Sequence, residues 1–197
     1  MLSAHALTTI EALKAELSIP VEDKSKDAVL ARAVNAASDA IRQYCGRDFA
    51  RAELTEHLTG RGSPMLLLSL SPIVSLEAVA IHGQEVDVDD ISIDHGAGIL
   101  VRRYGVWPES DRTNVSVTYV GGWVTPAQAS DELERDLPHD IEEACLIIAA
   151  TRVQSMGQPV DAQALQVEQI RVQFGDGGRQ SIPQQAAMLL EPYVRWA

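Results

Sequence analysis

Cysteine is nearly absent from this sequence: Cys45 and Cys145 are the only two in 197 residues. Neither a disulfide framework nor a Cys-based zinc site can be built from two distant thiols. A reducing compartment is therefore expected, with both cysteines acting as small hydrophobes on core-facing helix positions. Long apolar runs are also missing. No stretch approaches the roughly 18 consecutive apolar residues of a membrane helix, and Met1 to Ile10 holds no basic residue ahead of an apolar run, as a signal peptide would. The expectation is a chain without membrane contact or conventional secretion.

Positive charge is scarce as well. Sixteen Lys and Arg face 28 Asp and Glu, for a net charge of −12. Nucleic-acid affinity comes mostly from basic side chains that displace condensed counterions, so this chain should repel phosphate backbones. The acids are clustered. Glu85, Asp87, Asp89, Asp90 and Asp94 stand with no base among them, and Asp131 to Glu143 holds seven acids against Arg135 alone.

What is present suits a globular chain: 46% of residues are hydrophobic, enough for a core without staples. Residues 7–18 read as a short helix ending before Pro20. From Ser25 or Asp27 to Cys45, the residues Leu30, Val34, Ala37, Ile41 and Tyr44 recur at helical spacing on one face, and Gly46 suits the left-handed residue that ends a helix. From Phe49 to Gly122 the period shortens. Runs at Met65–Leu70, Ile73–His82, Glu85–Ile93, Ile99–Arg103 and Val115–Val120, punctuated by Ser71-Pro72, Gly83, Asp89-Asp90 and His95-Gly96-Ala97-Gly98, predict a meander of antiparallel strands. Helix returns at Pro138, with Asp140, Glu142 and Glu143 placed where the helix dipole favours carboxylates. Its body, Ala144 to Ala150, is apolar on every side. This predicts a central buried helix between the Leu30–Tyr44 stripe and the sheet, with Ile141, Leu146 and Ile148 inside. Beyond Pro159, Leu165 to Phe174 suggest a strand, Gly175 to Gly178 a turn, and Ser181 with Pro183 the start of a last helix through Leu190.

The search for chemistry turns up little. His139 and Glu143 share a helix face with Asp140 nearby, but no third ligand and no HExxH pattern accompany them. Asp87, Asp89, Asp90 and Asp94 lack the glycine and glutamate positions of a calcium loop and alternate with Val86, Val88, Ile91 and Ile93, as on a solvated strand face. Gly175 to Gly178 lacks the Lys-Ser/Thr of a phosphate loop, and no nucleophile elbow occurs. The expectation is no catalytic residue, no metal and no cofactor. The last twelve residues hold Ala186, Ala187, Met188, Leu189, Leu190, Tyr193, Val194 and Trp196, unusually apolar for a terminus. Such a segment either docks on its own core or anchors a partner.

Taken in order, these pieces resemble a known family. The helix end Tyr44-Cys45-Gly46-Arg47-Asp48-Phe49, the run Leu68-Ser69-Leu70-Ser71-Pro72-Ile73-Val74-Ser75-Leu76, the Gly83 hairpin and the Gly98-Ile99-Leu100 strand carry the first part. Trp107-Pro108, Val115-Ser116-Val117-Thr118-Tyr119-Val120-Gly121-Gly122, the Pro138 helix and the ending Met188-Leu189-Leu190-Glu191-Pro192-Tyr193-Val194-Arg195 complete it. Over most of its length the chain resembles the head–tail connector (adaptor) proteins of tailed bacteriophages, prophages and gene transfer agents. It departs from them at Asp161 to Phe174, which is longer and more strand-like, and at Val194, which interrupts a Pro-Tyr-Arg ending.

The resemblance implies a structural virion protein, not an enzyme: a homo-oligomeric ring, usually a dodecamer, docked under the portal and joining capsid to tail. DNA would pass through without specific binding. The partners implied are the portal protein and a stopper or tail-completion protein; the location is the head–tail interface of a virion or virus-like particle, after assembly in the host cytoplasm. Portal binding would fall to Met188, Leu189, Leu190, Tyr193 and Trp196. The fold class expected is helix-rich α+β: a bundle of two or three main helices, an inserted small antiparallel β-sheet or hairpin region, and a C-terminal helix. A single domain over 1–197 is expected, with N-terminal helices in 1–48, a β region in 49–123, a central helix in 131–157, and an extended segment and C-terminal helix in 158–197. The residues alone leave two other classes open: a small acidic hydrolase or metal-binding enzyme using His139, Asp140 and Glu143, or a monomeric interaction module.

Overall fold

The computed structural model describes residues 1–156 and 182–195. The chain divides into two compact units, one made of Met1–Arg47 with Val124–Ala197, the other of Asp48–Trp123.

The first unit is helical. Helix α1 (Ile10–Glu16) is capped by Thr9, whose hydroxyl oxygen accepts the Ala12 N–H at 3.1 Å, satisfying one of the donors a helix start leaves unpaired. In α2 (Asp27–Cys45) the stripe Leu30, Val34, Ala37 and Ile41 is fully buried. Gly46 stops α2 in the left-handed region, at φ 65°, where a side chain would be strained. Lys14 of α1 is buried, and its ammonium lies 2.6 Å from Asp27 Oδ1 and donates to Val21 O at 3.0 Å; a cation taken out of water needs such partners. Helix α3 (His139–Met156) follows Pro138 and buries Ile141, Ala144, Cys145, Ile148, Ala149 and Ala150. It packs against α1, α2 and the last helix, α4 (Gln184–Leu190). The Cys145 thiol, 3.6 Å from Ser38 Oγ, is pushed up to about 12 by burial. It is an inert core group at neutral pH.

The second unit is built from β1 (Ala52–Leu58), β2 (Met65–Leu67), β3 (Ile73–Ile81), β4 (Gln84–Val86), β5 (Ile91–Asp94), β6 (Ile99–Arg102) and β7 (Val115–Gly121). They form a four-stranded sheet in the order β1-β7-β3-β4 and a three-stranded sheet in the order β2-β6-β5, every pairing antiparallel. Strand β7 alternates most cleanly, with Val115, Val117 and Tyr119 buried and their neighbours partly exposed. These side chains join Leu66, Leu68, Leu70, Val79, Ile91, Leu100 and Trp107 in one core. The polar end of Tyr119 is fully provided for. Its hydroxyl donates to Glu56 and accepts the Leu70 N–H at 3.0 Å, while Glu56 also accepts from the Ser69 N–H and hydroxyl. Burial, reinforced by the Glu56 carboxylate, pushes the phenol up to about 12. Where the chain enters and leaves this unit, Phe49 stacks on Trp123 at 5.9 Å. Beside them Gly122, at φ 86°, lets the backbone pass so close that a Cβ would sit 2.8 Å from the Phe49 and Ala50 carbonyl oxygens.

These observations overturn the expectation of a helix-rich bundle with a small inserted sheet or hairpin. Among the described residues, four α-helices stand beside seven strands, and the strands make two sheets around a β-rich core of their own. The runs expected at Met65–Leu70 and Glu85–Ile93 do contain strands, but β2 and β4 within them are only three residues long. Strand β1 has no buried side chain to mark it. The run predicted as one strand from Glu85 to Ile93 is broken by a 3₁₀ turn at Val88–Asp90, where the Asp87 carboxylate accepts the Asp89 N–H. Leu146 is half-buried rather than inside, because it lies off the Ile141–Cys145–Ile148 stripe. The segment 131–138 ahead of α3 is not helical. The strand expected at Leu165–Phe174 and the turn at Gly175–Gly178 lie outside the described residues.

Candidate functional site

The start of α3 is where the sequence places its only enzyme-like group, and the geometry separates the members of that group. His139, Asp140 and Glu143 are all exposed. Arg135 approaches His139 with Nη2 3.0 Å from Nδ1. Since a guanidinium can only donate, Nδ1 must accept, which puts the imidazole proton on Nε2. The residue that is engaged is Glu142, which the sequence marks only as a first-turn carboxylate and not as a member of that group. Its carboxylate meets Arg135 Nη2 at 2.7 Å and accepts the Thr8 hydroxyl at 3.1 Å. This pair joins the segment before α3 to the N-terminal segment, a structural role. The lone base among seven acids was the available signal. Among the described residues no group of three or more His, Cys, Asp or Glu side chains is placed to hold a metal ion.

The acidic run Glu85–Asp94 spans β4, the 3₁₀ turn and β5. Its acids are exposed, and two of them close local turns, Asp87 onto Asp89 N–H and Asp94 onto Ala97 N–H at 3.0 Å each. The carboxylates shape the loop and leave a strongly negative edge.

The C-terminal segment resolves into an inner and an outer face. Ile182, Ala186 and Leu190, four residues apart, are buried within the helical unit, and α4 lies against α3. After the 3₁₀ turn Glu191–Tyr193, the Arg195 N–H donates to Cys45 O at 2.9 Å, which ties the segment to the end of α2. Of the five residues singled out for portal binding, Leu190 is fully buried in the chain's own core, Leu189 and Tyr193 are half-buried, and Met188 is 68% exposed. Trp196 lies outside the described residues. Burial raises the Tyr193 phenol, with a smaller push from the Asp140 carboxylate. Arg47, beside Arg195, is lowered to about 10, mainly by burial and then by that second guanidinium.

No helix among the described residues is long and apolar enough to cross a membrane. No curated protein matches the chain. In fold it is similar to a chain from the neck of an empty GTA (gene transfer agent) particle computed with C6 symmetry, at 16% identity and TM-score 0.61, covering 100% of this chain and 93% of that one. It is also similar to a chain from the neck of a native GTA particle computed with C12 symmetry, at 15% identity and TM-score 0.53, with the same coverage. The model of one family, head completion protein, matches residues 6–195. That match takes in both compact units, and the chain belongs to the head completion protein family of structural head–tail connectors.

Proposed function

We propose that this chain is a non-enzymatic adaptor that assembles, in about twelve copies, into a ring beneath the portal of a phage or phage-like particle, and that the ring joins the filled head to the tail. The observation that carries the reading is the family match over residues 6–195. The similarity in fold to neck chains of particles computed with C6 and C12 symmetry supports a cyclic assembly. The net charge of −12 suits a wall past which DNA must slide, since surplus carboxylates repel phosphates instead of holding them. The two compact units act together as one adaptor domain. Its neighbours are the portal protein on the head side and a stopper or tail-completion protein on the other, met during assembly in the host cytoplasm.

Within this reading the outer face of the C-terminal segment, with Met188 most exposed and Leu189 and Tyr193 half-buried, makes the portal contact, to which Trp196 is assigned from the sequence alone. Leu190 holds the segment in place from within. A weak contact in each copy suffices, because a ring presents it many times at once. Mixing purified chain with purified portal protein and measuring particle mass tests the reading. A portal-bound ring is the expected product; a chain that stays monomeric and unbound at saturating portal concentration contradicts it.

A further inference from the structure

The three-stranded sheet turns Leu66, Leu100 and Ile91 into the core of the β unit. Side chains alternate along a strand, so the register sets Met65 opposite Val101 and Leu67 opposite Ile99 on the other face. Met65 and Leu67 are 54% and 56% exposed, and Ile99 and Val101 are half-buried. Four large apolar side chains therefore share one open face. With Arg61 and Ser63, Met65 and Leu67 also line a cavity of about 620 Å³. Charge is divided across this face. Arg61 precedes β2, and Arg103, whose N–H donates to Asp90 O at 2.9 Å, continues the alternation of β6 onto the open side. The acids Asp89, Asp90 and Asp94 lie in or just before β5. Among the described residues neither Arg61 nor Arg103 makes an ion pair.

The helical unit carries a segment of complementary chemistry. Ahead of α3 the chain closes a tight turn in which the Ser130 N–H donates to Leu133 O at 3.0 Å and the Leu133 N–H to Ser130 O at 3.2 Å. Leu133 is 40% exposed, and Asp131, Glu132 and Glu134 around it are exposed. We propose that this turn of one copy docks on the open face of the three-stranded sheet of the next, with Leu133 against Met65 and Leu67 and the carboxylates of Glu132 and Glu134 facing Arg61 and Arg103. The inference rests on the ring reading above and names a contact between ring neighbours. A ring needs a heterologous contact between two different surfaces, and a turn of the helical unit and a sheet face of the β unit are such a pair. Contact is made through side chains, with no strand pairing. Opposite charge fixes the orientation, since the incoming carboxylates are drawn to the β2–β6 side and repelled by the acids along β5. Two turns meeting each other would bring like charges together, which disfavours closed two-fold dimers through this turn.

The test mixes two full-length single variants, Leu133→Cys and Met65→Cys, in rings formed with portal protein, and treats them with a short bismaleimide. Cys45 and Cys145 are fully buried and stay unreactive. A cross-linked dimer of the chain is expected from the mixture and from neither variant alone. In parallel, Arg61→Glu with Arg103→Glu should weaken ring formation at least about tenfold. Adding Glu132→Lys with Glu134→Lys should restore it. Adding Glu11→Lys with Glu16→Lys instead, the same change of net charge at exposed positions of α1, should not, folding being checked by circular dichroism throughout. Rings that form without the dimer, that form equally well with Arg61→Glu and Arg103→Glu, or that the α1 pair rescues equally, overturn the contact and leave the ring reading standing. If the parent forms no ring, alone or with portal protein, the ring reading fails and the contact with it.

Discussion

Leu190 and Met188 are two residues apart on α4, yet their truncation should have opposite consequences. Leu190 is fully buried on the stripe it shares with Ile182 and Ala186, whereas Met188 is 68% exposed. Leu190→Ala removes the side chain and leaves a cavity, a combination that costs about 2 to 5 kcal/mol. At about 2 to 4 °C per kcal/mol for a chain of this size, the melting temperature should drop by roughly 4 to 20 °C. Met188→Asp alters only the solvent side of the helix, so its effect should stay within about 0.5 kcal/mol and about 2 °C. Portal capture should reverse the ranking. If Met188 is buried at that contact, its loss removes about 1.5 to 3 kcal/mol, which is about 10- to 150-fold in affinity. Thermal unfolding by circular dichroism, followed by capture on immobilised portal protein, reads both effects. A Leu190→Ala variant that melts with the parent, or a Met188→Asp variant that unfolds or binds portal undiminished, would refute the division of α4 into an inner and an outer face.

Three further perturbations probe the two units. Ile148→Ala in α3, where Ile148 is 4% exposed, should cost about 2 to 5 kcal/mol by thermal melting. Tyr119→Phe leaves the buried Leu70 N–H without its acceptor and should cost about 1 to 3 kcal/mol in a urea titration. Because the folded phenol is raised from 10.0 to about 12, the parent keeps its full Tyr119 contribution below pH 10 and loses it as the pH rises through about 12. The Phe variant should show no such loss attributable to this position. Gly122→Ala forces a Cβ against two carbonyl oxygens at 2.8 Å and strains a residue at φ 86°, so it should lower the melting temperature; an unchanged value contradicts the described close approach.

How far the sequence foretells this molecule depends on whether a segment's side chains divide between core and solvent. Helix α2 is legible because Leu30, Val34, Ala37 and Ile41 are all fully buried along one stripe. Strand β7 is legible for the same reason at period two. Strand β1 is not: Ala52 to Leu58 has no fully buried residue, and it is a strand because its backbone pairs with β7 from Ala52–Gly121 to Leu58–Val115. Long-range pairing of that kind leaves no local periodic trace, and the extent of the β-rich unit was underestimated with it. The Arg135–Glu142 pair was hidden likewise, since only the fold brings Thr8 to the same carboxylate. At the C-terminus the sequence showed an excess of apolar groups. It could not say that the excess divides between Leu190 within and Met188 outside, because helical phase assigns faces and the neighbours decide which face is covered.

The most direct test of the head–tail role is electron microscopy of particles from producing cells that lack this chain. The prediction is heads that are filled with DNA or leaking it and carry no tails, with tails restored when the chain is supplied from a plasmid. Tailed particles assembled normally in its absence would contradict the role.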